Sequence, residues 1–173
     1  QETSLRPLTL FQAFTNEDNN SDCGILIYNV LSNHIIAAKH GLSLGHANDV
    51  TYNPDNGHWY VACAGGSNGI SKVVEFTDNG SLYAEHTFDS IASPYGICYD
   101  EKEHVFYMLV GDNKVRKYNQ TLTSVLNEFT FNPPNYIAQS IFLMYDRLVI
   151  LYGKDMQAGR GWYNIGLIYN KDG

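Results

Sequence analysis

The sequence has few cations, few cysteines and no long apolar runs. Its 11 Lys and Arg stand against 18 Asp and Glu, for a formal charge of −7. This balance argues against a nucleic-acid partner, because phosphate binding needs a surplus of basic side chains. No apolar run approaches the roughly 18 residues of a membrane-spanning helix, and we expect no signal peptide in the sequence as given. The first residue is Gln1 rather than Met, so we expect a processed product or a fragment.

Cysteine and helix signals are also scarce. Cys23, Cys63 and Cys98 are too few and of the wrong parity for a disulfide framework, so we expect separate buried thiols. No segment keeps a 3.6-residue apolar period over three turns, which excludes a helical bundle. The aromatic content of 13% and the 15 glycines favour strands and turns instead. A chain of 173 residues can bury a core in one domain.

The chain contains an internal repeat. When "NDVTYNPDNGHWYVACAG" is written above "YGICYDEKEHVFYMLVGD", Tyr52 aligns with Tyr99 and Tyr60 with Tyr107, each 47 residues apart. A third copy with a shorter turn, "QSIFLMYDRLVILYGKD", follows. A second recurring segment ends each time on an aromatic residue, in steps of 48, 42 and 51 residues: Tyr28, Phe76, Tyr118 and Tyr169.

A period in the forties, made of short strand-like segments between Gly, Asn and Asp turns, is typical of a β-propeller blade. In the first complete unit the four strands are expected at about 49–52, 59–64, 72–76 and 82–88. In "KVVEF" and "KVRKY" the charged and apolar residues interleave, which predicts half-buried strands. "NPDNG" and "TDNG" supply residues that tolerate positive φ in hairpin turns.

The sequence therefore predicts an all-β fold, a β-propeller of four-stranded antiparallel blades with about three and a half blades in the chain. We expect a single partial domain over 1–173, with a partial blade at 8–40, complete blades at 47–88 and 94–131, and a partial blade at 137–170. Closed propellers have four to eight blades, and unfinished rings expose strand edges. We expect the ring to be completed by further chain or by other subunits.

Residues 93–119, "SPYGICYDEKEHVFYMLVGDNKVRKYN", resemble a blade of the NHL-type and gluconolactonase-like propellers. The pattern of that family is matched by a set of apolar, glycine, aspartate and aromatic positions: Pro94, Gly96, Ile97, Asp100, Phe106, Tyr107, Asp112, Asn113, Val115 and Tyr118. The resemblance implies a propeller fold. Residues 45–62, "GHANDVTYNPDNGHWYVA", resemble repeats in structural proteins of phages of Gram-positive bacteria, which implies a tail or fibre component.

The segments that precede the inner strands of a propeller lie at the mouth of its central channel. We expect His46, Asn48 and Asp49 there, beside Tyr95 and Gln139 of the following blades. The gluconolactonase resemblance implies that Asn48, with Asp49, could bind a divalent cation such as calcium, although Tyr95 and Gln139 depart from that family's ligands. The alternative interpretation is that Asn48 and Asp49 bond neighbouring backbone groups.

A resemblance to propellers of the virginiamycin B lyase type implies His46 as a candidate general base. The alternative is an exposed or satisfied loop histidine, since no partner for its imidazole is identified.

Aromatic and amide side chains suggest a different role. Flat rings pack on sugar C–H groups or on peptides, and amides recognise hydroxyl and backbone groups. We therefore predict a ligand-binding surface, although the aromatics could instead pack between blades. Two long loops, 15–24 and 153–164, are expected on the same face as the channel mouth. The predicted ligand-binding residues are Asn48, Asp49, Tyr95, Tyr136, Gln139, Arg160, Trp162 and Tyr163.

Three functions follow. The favoured hypothesis is a non-catalytic recognition or structural module without a cofactor, in a phage tail or fibre or another surface assembly that binds host glycan or protein. It implies a virion or extracellular location. The second is a metal-dependent lactonase or a lyase acting at the channel mouth. The third is an intracellular NHL-type scaffold for protein interactions.

Overall fold

The computed structural model describes residues 9–15, 22–64, 71–88, 93–111, 113–133, 136–155 and 162–172. All regular secondary structure within these ranges is β-strand. The strands are β1 (Thr9–Phe14), β2 (Cys23–Asn29), β3 (His34–Leu42), β4 (Asp49–Asn53), β5 (His58–Cys63), β6 (Lys72–Phe76), β7 (Leu82–Thr87), β8 (Pro94–Asp100), β9 (Val105–Val110), β10 (Lys114–Asn119), β11 (Val125–Thr130), β12 (Ile137–Met144), β13 (Arg147–Asp155) and β14 (Trp162–Asn170).

The strands form four antiparallel meanders, in which each strand pairs with its neighbours in the sequence. The first blade is β1–β3, the second β4–β7, the third β8–β11 and the fourth β12–β14. The predicted all-β propeller of antiparallel blades is thereby confirmed, with two four-stranded and two three-stranded sheets among the described residues. In the second blade, every observed strand end lies within one residue of its predicted position.

The hydrophobic core is divided among the spaces between successive blades. In chain order, each blade has a back face toward the preceding blade and a front face toward the following one. Ile27 of the first blade and Phe76 of the second bury their side chains in one space, and Tyr60 and Phe106 meet in the next. Tyr107 and a group from the fourth blade fill the third space: Ile141, Ile150 and Tyr152. All three cysteines are free and buried, as the sequence predicted.

The prediction that "KVVEF" forms a half-buried strand is wrong. Four of the five side chains of β6 are buried, and Glu75 is only 4% exposed. Val73 packs toward the third blade, whereas Val74 and Phe76 pack toward the first. Both faces of this central blade meet a neighbouring sheet, so the alternation of polar and apolar residues does not mark a solvent-facing side.

The turn between the third and fourth strands of a blade packs on the preceding blade. In the second blade this turn contains Gly80, with φ of 77°. A Cβ atom built on Gly80 would lie 2.9 Å from the Ala37 Cβ and 3.2 Å from the Ile27 Cδ1 of the first blade. The equivalent residue of the third blade, Leu122, also has positive φ and buries its side chain in the core between the second and third blades.

We predict that Gly80→Ala destabilises the chain more than Gly41→Ala. Both glycines have positive φ, 77° and 72°, and a side chain there costs about 1–2 kcal/mol. The Cβ of Gly41 would contact nothing within 4 Å, whereas that of Gly80 would collide with Ala37. Overpacking adds about 1–3 kcal/mol. Equilibrium denaturant unfolding measures the difference, and equal costs for the two variants would contradict the interblade contact.

Candidate functional site

The first strands of three blades, β4, β8 and β12, contact one another, and the Asp49 carboxylate links them. Its Oδ2 accepts the backbone N–H of Ile97 on β8 (3.2 Å) and that of Ile141 on β12 (3.1 Å). Its Oδ1 accepts the N–H of Val50 (3.0 Å). The three strands belong to separate sheets, so this side chain supplies a hydrogen-bonded connection that no backbone ladder provides.

Glycine allows the close approach of these strands. A Cβ atom on Gly96 would lie 2.8 Å from the Ile141 nitrogen and 3.1 Å from the Asp49 Oδ2. Two residues further along β4, the Thr51 hydroxyl oxygen accepts the backbone N–H of Tyr99 (3.1 Å). Two side chains of β4, Asp49 and Thr51, therefore accept hydrogen bonds from the backbone of β8. A residue larger than glycine at position 96 would push these strands apart.

Burial raises the pKa of Asp49 from 3.8 to about 6, although hydrogen bonds from Ile141, Ser140, Ile97 and Val50 oppose the shift. A carboxyl whose pKa is raised in the folded state holds its proton more tightly there than in the unfolded chain. Its stabilising contribution is therefore complete below about pH 4 and is lost as the pH rises through about 6.

Five predicted residues lie at the mouth end of the inner strands, and we call this set the mouth surface: His46, Asn48, Tyr95, Tyr136 and Gln139. Tyr95 is unpaired between Pro94 and Gly96, and Gln139 is unpaired between Ala138 and Ser140, so both occupy β-bulges. Bulges redirect a side chain away from the regular alternation of its strand.

The mouth surface is partly open to solvent. His46 is exposed, and the other four members are partly buried. The rings of Tyr95 and Tyr136 pack against the core between the third and fourth blades, and the Lys154 ammonium lies 5.4 Å from the centre of the Tyr136 ring. These aromatics therefore contribute to the packing between blades and also retain surface that another molecule could contact.

The other predicted ligand-binding residues are Arg160, Trp162 and Tyr163, whose side chains lie outside the part of the chain that the structure describes. Arg160 lies outside the described residues, as do 16–21 and 156–161 of the two long loops. Trp162 and Tyr163 begin β14, opposite Asp155 and Lys154 in register. Their participation in a binding surface stays a prediction.

His46, Asn48 and Asp49, the candidate catalytic and metal-binding residues, all make hydrogen bonds with backbone groups. Both oxygens of Asp49 accept hydrogen bonds from backbone N–H groups. This agrees with the alternative interpretation, in which Asp49 bonds backbone groups. Among the described residues no group of three or more His, Cys, Asp or Glu side chains is arranged to hold a metal ion. The backbone N–H of His46 donates to the Ala64 carbonyl (3.4 Å). A general-base role for His46 and a metal at Asn48 and Asp49 stay predictions.

Sequence reasoning missed a buried polar cluster on the front face of the second blade. The Glu75 carboxylate lies 2.6 Å from His58 Nδ1 and 2.7 Å from His86 Nε2, and it accepts the Tyr60 hydroxyl (2.8 Å). Burial alone would raise the pKa of Glu75, but the hydrogen bonds from His58, His86 and Tyr60 outweigh it, and this pKa is lowered. The three donors come from β5 and β7, on either side of β6, so strand pairing gathers residues that the sequence scatters.

A second missed cluster joins the third and fourth blades. The Lys171 ammonium donates to Asp100 (2.7 Å) and Glu103 (2.5 Å), and Lys117 also donates to Glu103 (2.5 Å). Hydrogen bonds from Lys117 and Lys171 lower the pKa of Glu103 to about 2. Lys117 is the repeat equivalent of Glu75, because each precedes the aromatic residue that ends its repeat.

The same kind of contact joins the second and third blades through Asp55. Its carboxylate accepts the Gln120 amide (3.1 Å) and the Tyr99 hydroxyl, and it lies 2.6 Å from His104 Nδ1. Gln120 and Lys171 each follow the aromatic residue of their repeat by two positions. In both blades, this residue reaches back to acidic groups near the first turn of the preceding blade.

No family model matches the chain, and no curated protein matches it. Its structure is similar to the solved WD40 repeats of RRP9, with a TM-score of 0.58 and 14% identity over 83% of this chain and 44% of that one. It is similar to U3-55K, with a TM-score of 0.58 and 13% identity over 91% and 50%. It is also similar to Saccharomyces cerevisiae Sqt1, with a TM-score of 0.52 and 9% identity over 83% and 45%.

The chain is thus a β-propeller protein, and its solved structural neighbours include WD40-repeat propellers. It spans about half the length of those structures. The comparisons support the propeller fold that the NHL and gluconolactonase resemblance implied, but they do not support that family or a phage structural protein in particular. The described residues include no helix with the length and apolarity to cross a bilayer.

We predict that Asp49→Asn changes the pH dependence of stability. Asparagine keeps an oxygen that can accept N–H groups but has no charge to desolvate. Between pH 4 and 7, the free energy of unfolding of the unmodified chain should fall by about 1–3 kcal/mol relative to the variant, because Asp49 ionises in a partly buried site. Denaturant unfolding across this pH range measures the change.

The matched control for Asp49→Asn is Asn48→Ala, which alters the neighbouring residue and leaves the carboxyl in place. Its difference from the unmodified chain should be the same at pH 4 and at pH 7. A constant difference between Asp49→Asn and the unmodified chain over that range would show that this carboxyl is not desolvated.

We predict that Glu75→Gln costs about 1–3 kcal/mol at pH 7, because one imidazole must turn an acceptor toward the new amide or lose its partner. Glu85→Gln on β7 is the control. Glu85 pairs with Lys72 at 2.6 Å, but its side chain is 46% exposed, and such pairs contribute at most about 1 kcal/mol. Thermal and denaturant unfolding compare the two variants, and equal costs would contradict the buried cluster.

Proposed function

We propose that the chain is a non-catalytic interaction module that binds another protein at the mouth surface. The observation that carries this proposal is the convergence of β4, β8 and β12 on Asp49 Oδ2, within 3.2 Å of two backbone nitrogens from other blades. The convergence fixes side chains from three blades at one rigid place. Binding residues on a rigid scaffold lose little conformational freedom when a partner docks.

The chemistry of the mouth surface suits a polypeptide. Tyr95 and Tyr136 present partly exposed rings, and tyrosine is enriched among the residues that contribute most to protein interfaces. Asn48 and Gln139 offer amides, each with both a donor and an acceptor for a partner's backbone. The bulges at Tyr95 and Gln139 occupy equivalent places in successive blades, so a bound segment would meet a side chain from each blade in turn.

The comparisons favour this function over the others predicted from the sequence. Likeness to WD40-repeat propellers suggests a protein-interaction module, which agrees with the scaffold hypothesis. Nothing in the comparisons favours a phage tail or fibre, a glycan ligand, or a lactonase or lyase. The carboxylate of Asp49, the strongest candidate for metal chemistry at the mouth, instead accepts hydrogen bonds from the backbone of three strands.

The test is selection of peptides from a displayed random library against the folded chain, followed by affinity measurement on variants. We expect Tyr95→Ala, Tyr136→Ala and Gln139→Ala each to weaken the binding of the selected peptides by at least about 10-fold. A 10-fold loss of affinity corresponds to an interface residue that contributes about 1.4 kcal/mol. Unfolding curves show whether each variant stays folded.

Tyr145→Ala is the matched control for the peptide selection. Tyr145 is 91% exposed and lies in the turn after β12, whereas Tyr136 lies before β12, so the two rings are at opposite ends of the strand. The control should bind the selected peptides as the unmodified chain does. Peptides that bind the mouth variants undiminished would overturn the proposed surface, and binding to a glycan array without any selected peptide would overturn the proposed ligand class.

A further inference from the structure

The fourth blade has an apolar front face that the described part of the chain leaves uncovered. Strand register places Phe142, Val149 and Ile168 in one row across this face. Ile168 is 59% exposed and Phe142 40%, Leu151 beside them is 37% exposed, and Val149 between them is 6% exposed. A contiguous row of large apolar side chains on a sheet face marks an interaction surface rather than ordinary surface scatter.

The repeat shows what normally covers this position. Ile168 is equivalent to Ile27, Glu75 and Lys117, since each precedes the aromatic residue that ends its repeat. Ile27 is fully buried against the second blade, and Glu75 faces the third blade. In each earlier blade, therefore, the back face of the next blade covers this place. In the fourth blade this residue is Ile168, which is apolar like Ile27. The surface that covers it should therefore be an apolar back face of another blade.

A back face of that kind is present at the other end of the chain. On the first blade, Leu10 is 53% and Phe14 46% exposed. With Leu26 and Ala38, Phe14 lines a shallow concavity of about 580 Å³, whose lining also includes the polar side chains of Asp22, Lys39 and His40. In the second blade the equivalent of Leu26 is Val74, which is 1% exposed because the first blade covers it.

We propose that a second copy of this chain completes the ring. The front face of the fourth blade of each copy packs on the back face of the first blade of the other. The contact repeats the kind of interface already formed between the first and second blades, where Ile27 packs with Val74 and Phe76. It is independent of the mouth surface and of the function proposed there.

Two copies supply the required amount of propeller. The chain aligns over 83–91% of its own length with 44–50% of each solved propeller to which it is similar. A two-fold axis would form both front-to-back contacts at once, which closes the ring and leaves no apolar face open. Contact faces rich in large apolar side chains are typical of obligate interfaces between subunits.

The test is the mass of the 173-residue chain in solution, measured by sedimentation equilibrium and native mass spectrometry from about 1 to 50 µM. We expect a dimer of twice the 19.5 kDa of one copy. A monomer throughout this range would overturn the proposal. Oligomers that grow without limit would also overturn it, because they would show a front-to-back contact that does not close.

Variants distinguish the two faces. Ile168→Glu and Leu10→Glu should each weaken the dimer by at least about 100-fold, because each buries an unpaired charge. Leu31→Glu, in the turn after β2 and 70% exposed, is the control and should remain a dimer. If the Leu10→Glu variant stayed a dimer, the back face of the first blade would not be in the interface. The two copies would then meet through their fourth blades, which contradicts the proposed ring. Circular dichroism and cooperative unfolding show that each variant is folded, and both substituted side chains are already more than half exposed.

Discussion

The structure depends on the packing of each sheet against the next one in the chain. A single meander of three or four short strands buries too little surface to be stable alone, and in the second blade both faces of β6 are buried. Val73 and Val74 are neighbours in the sequence, but they contribute to different hydrophobic clusters. Stability therefore comes from contacts between repeats, as it does in other repeat proteins.

Polar contacts set how the sheets meet at the centre. Hydrophobic packing is not directional, so it holds blades together without fixing the positions of their inner strands. The Asp49 carboxylate holds β8 and β12 within hydrogen-bond distance of β4, and the absence of a side chain on Gly96 allows this close approach. The same contact fixes the starts of three strands, which is where the mouth surface lies. Burial of the Asp49 carboxyl raises its pKa. The stability of the contact between the three inner strands therefore depends on pH.

The sequence predicted the parts of the fold that depend on period and turn chemistry. The spacing of Tyr52 and Tyr99 predicted the repeat, and Gly and Asn turns placed the strands of the second blade to within a residue. It did not predict the burial of Glu75, because an alternating pattern resembles a half-exposed strand whenever one buried face is polar. Nor did it pair Gln120 with Asp55, since contacts between blades join residues far apart in the chain. For Trp162, Arg160 and His46, the predicted roles remain to be tested.

Gln120 and Lys171 hold equivalent places, yet one is a neutral amide and the other a cation. Lys171 neutralises Asp100, whose side chain is only 5% exposed. If the third blade were duplicated in tandem, Gln120 of the new copy would stand where Lys171 now stands, and a buried carboxylate would lose its counter-ion. Such a loss destabilises a protein by several kcal/mol. A tandem copy of the third blade would therefore need a compensating substitution at the position of Gln120.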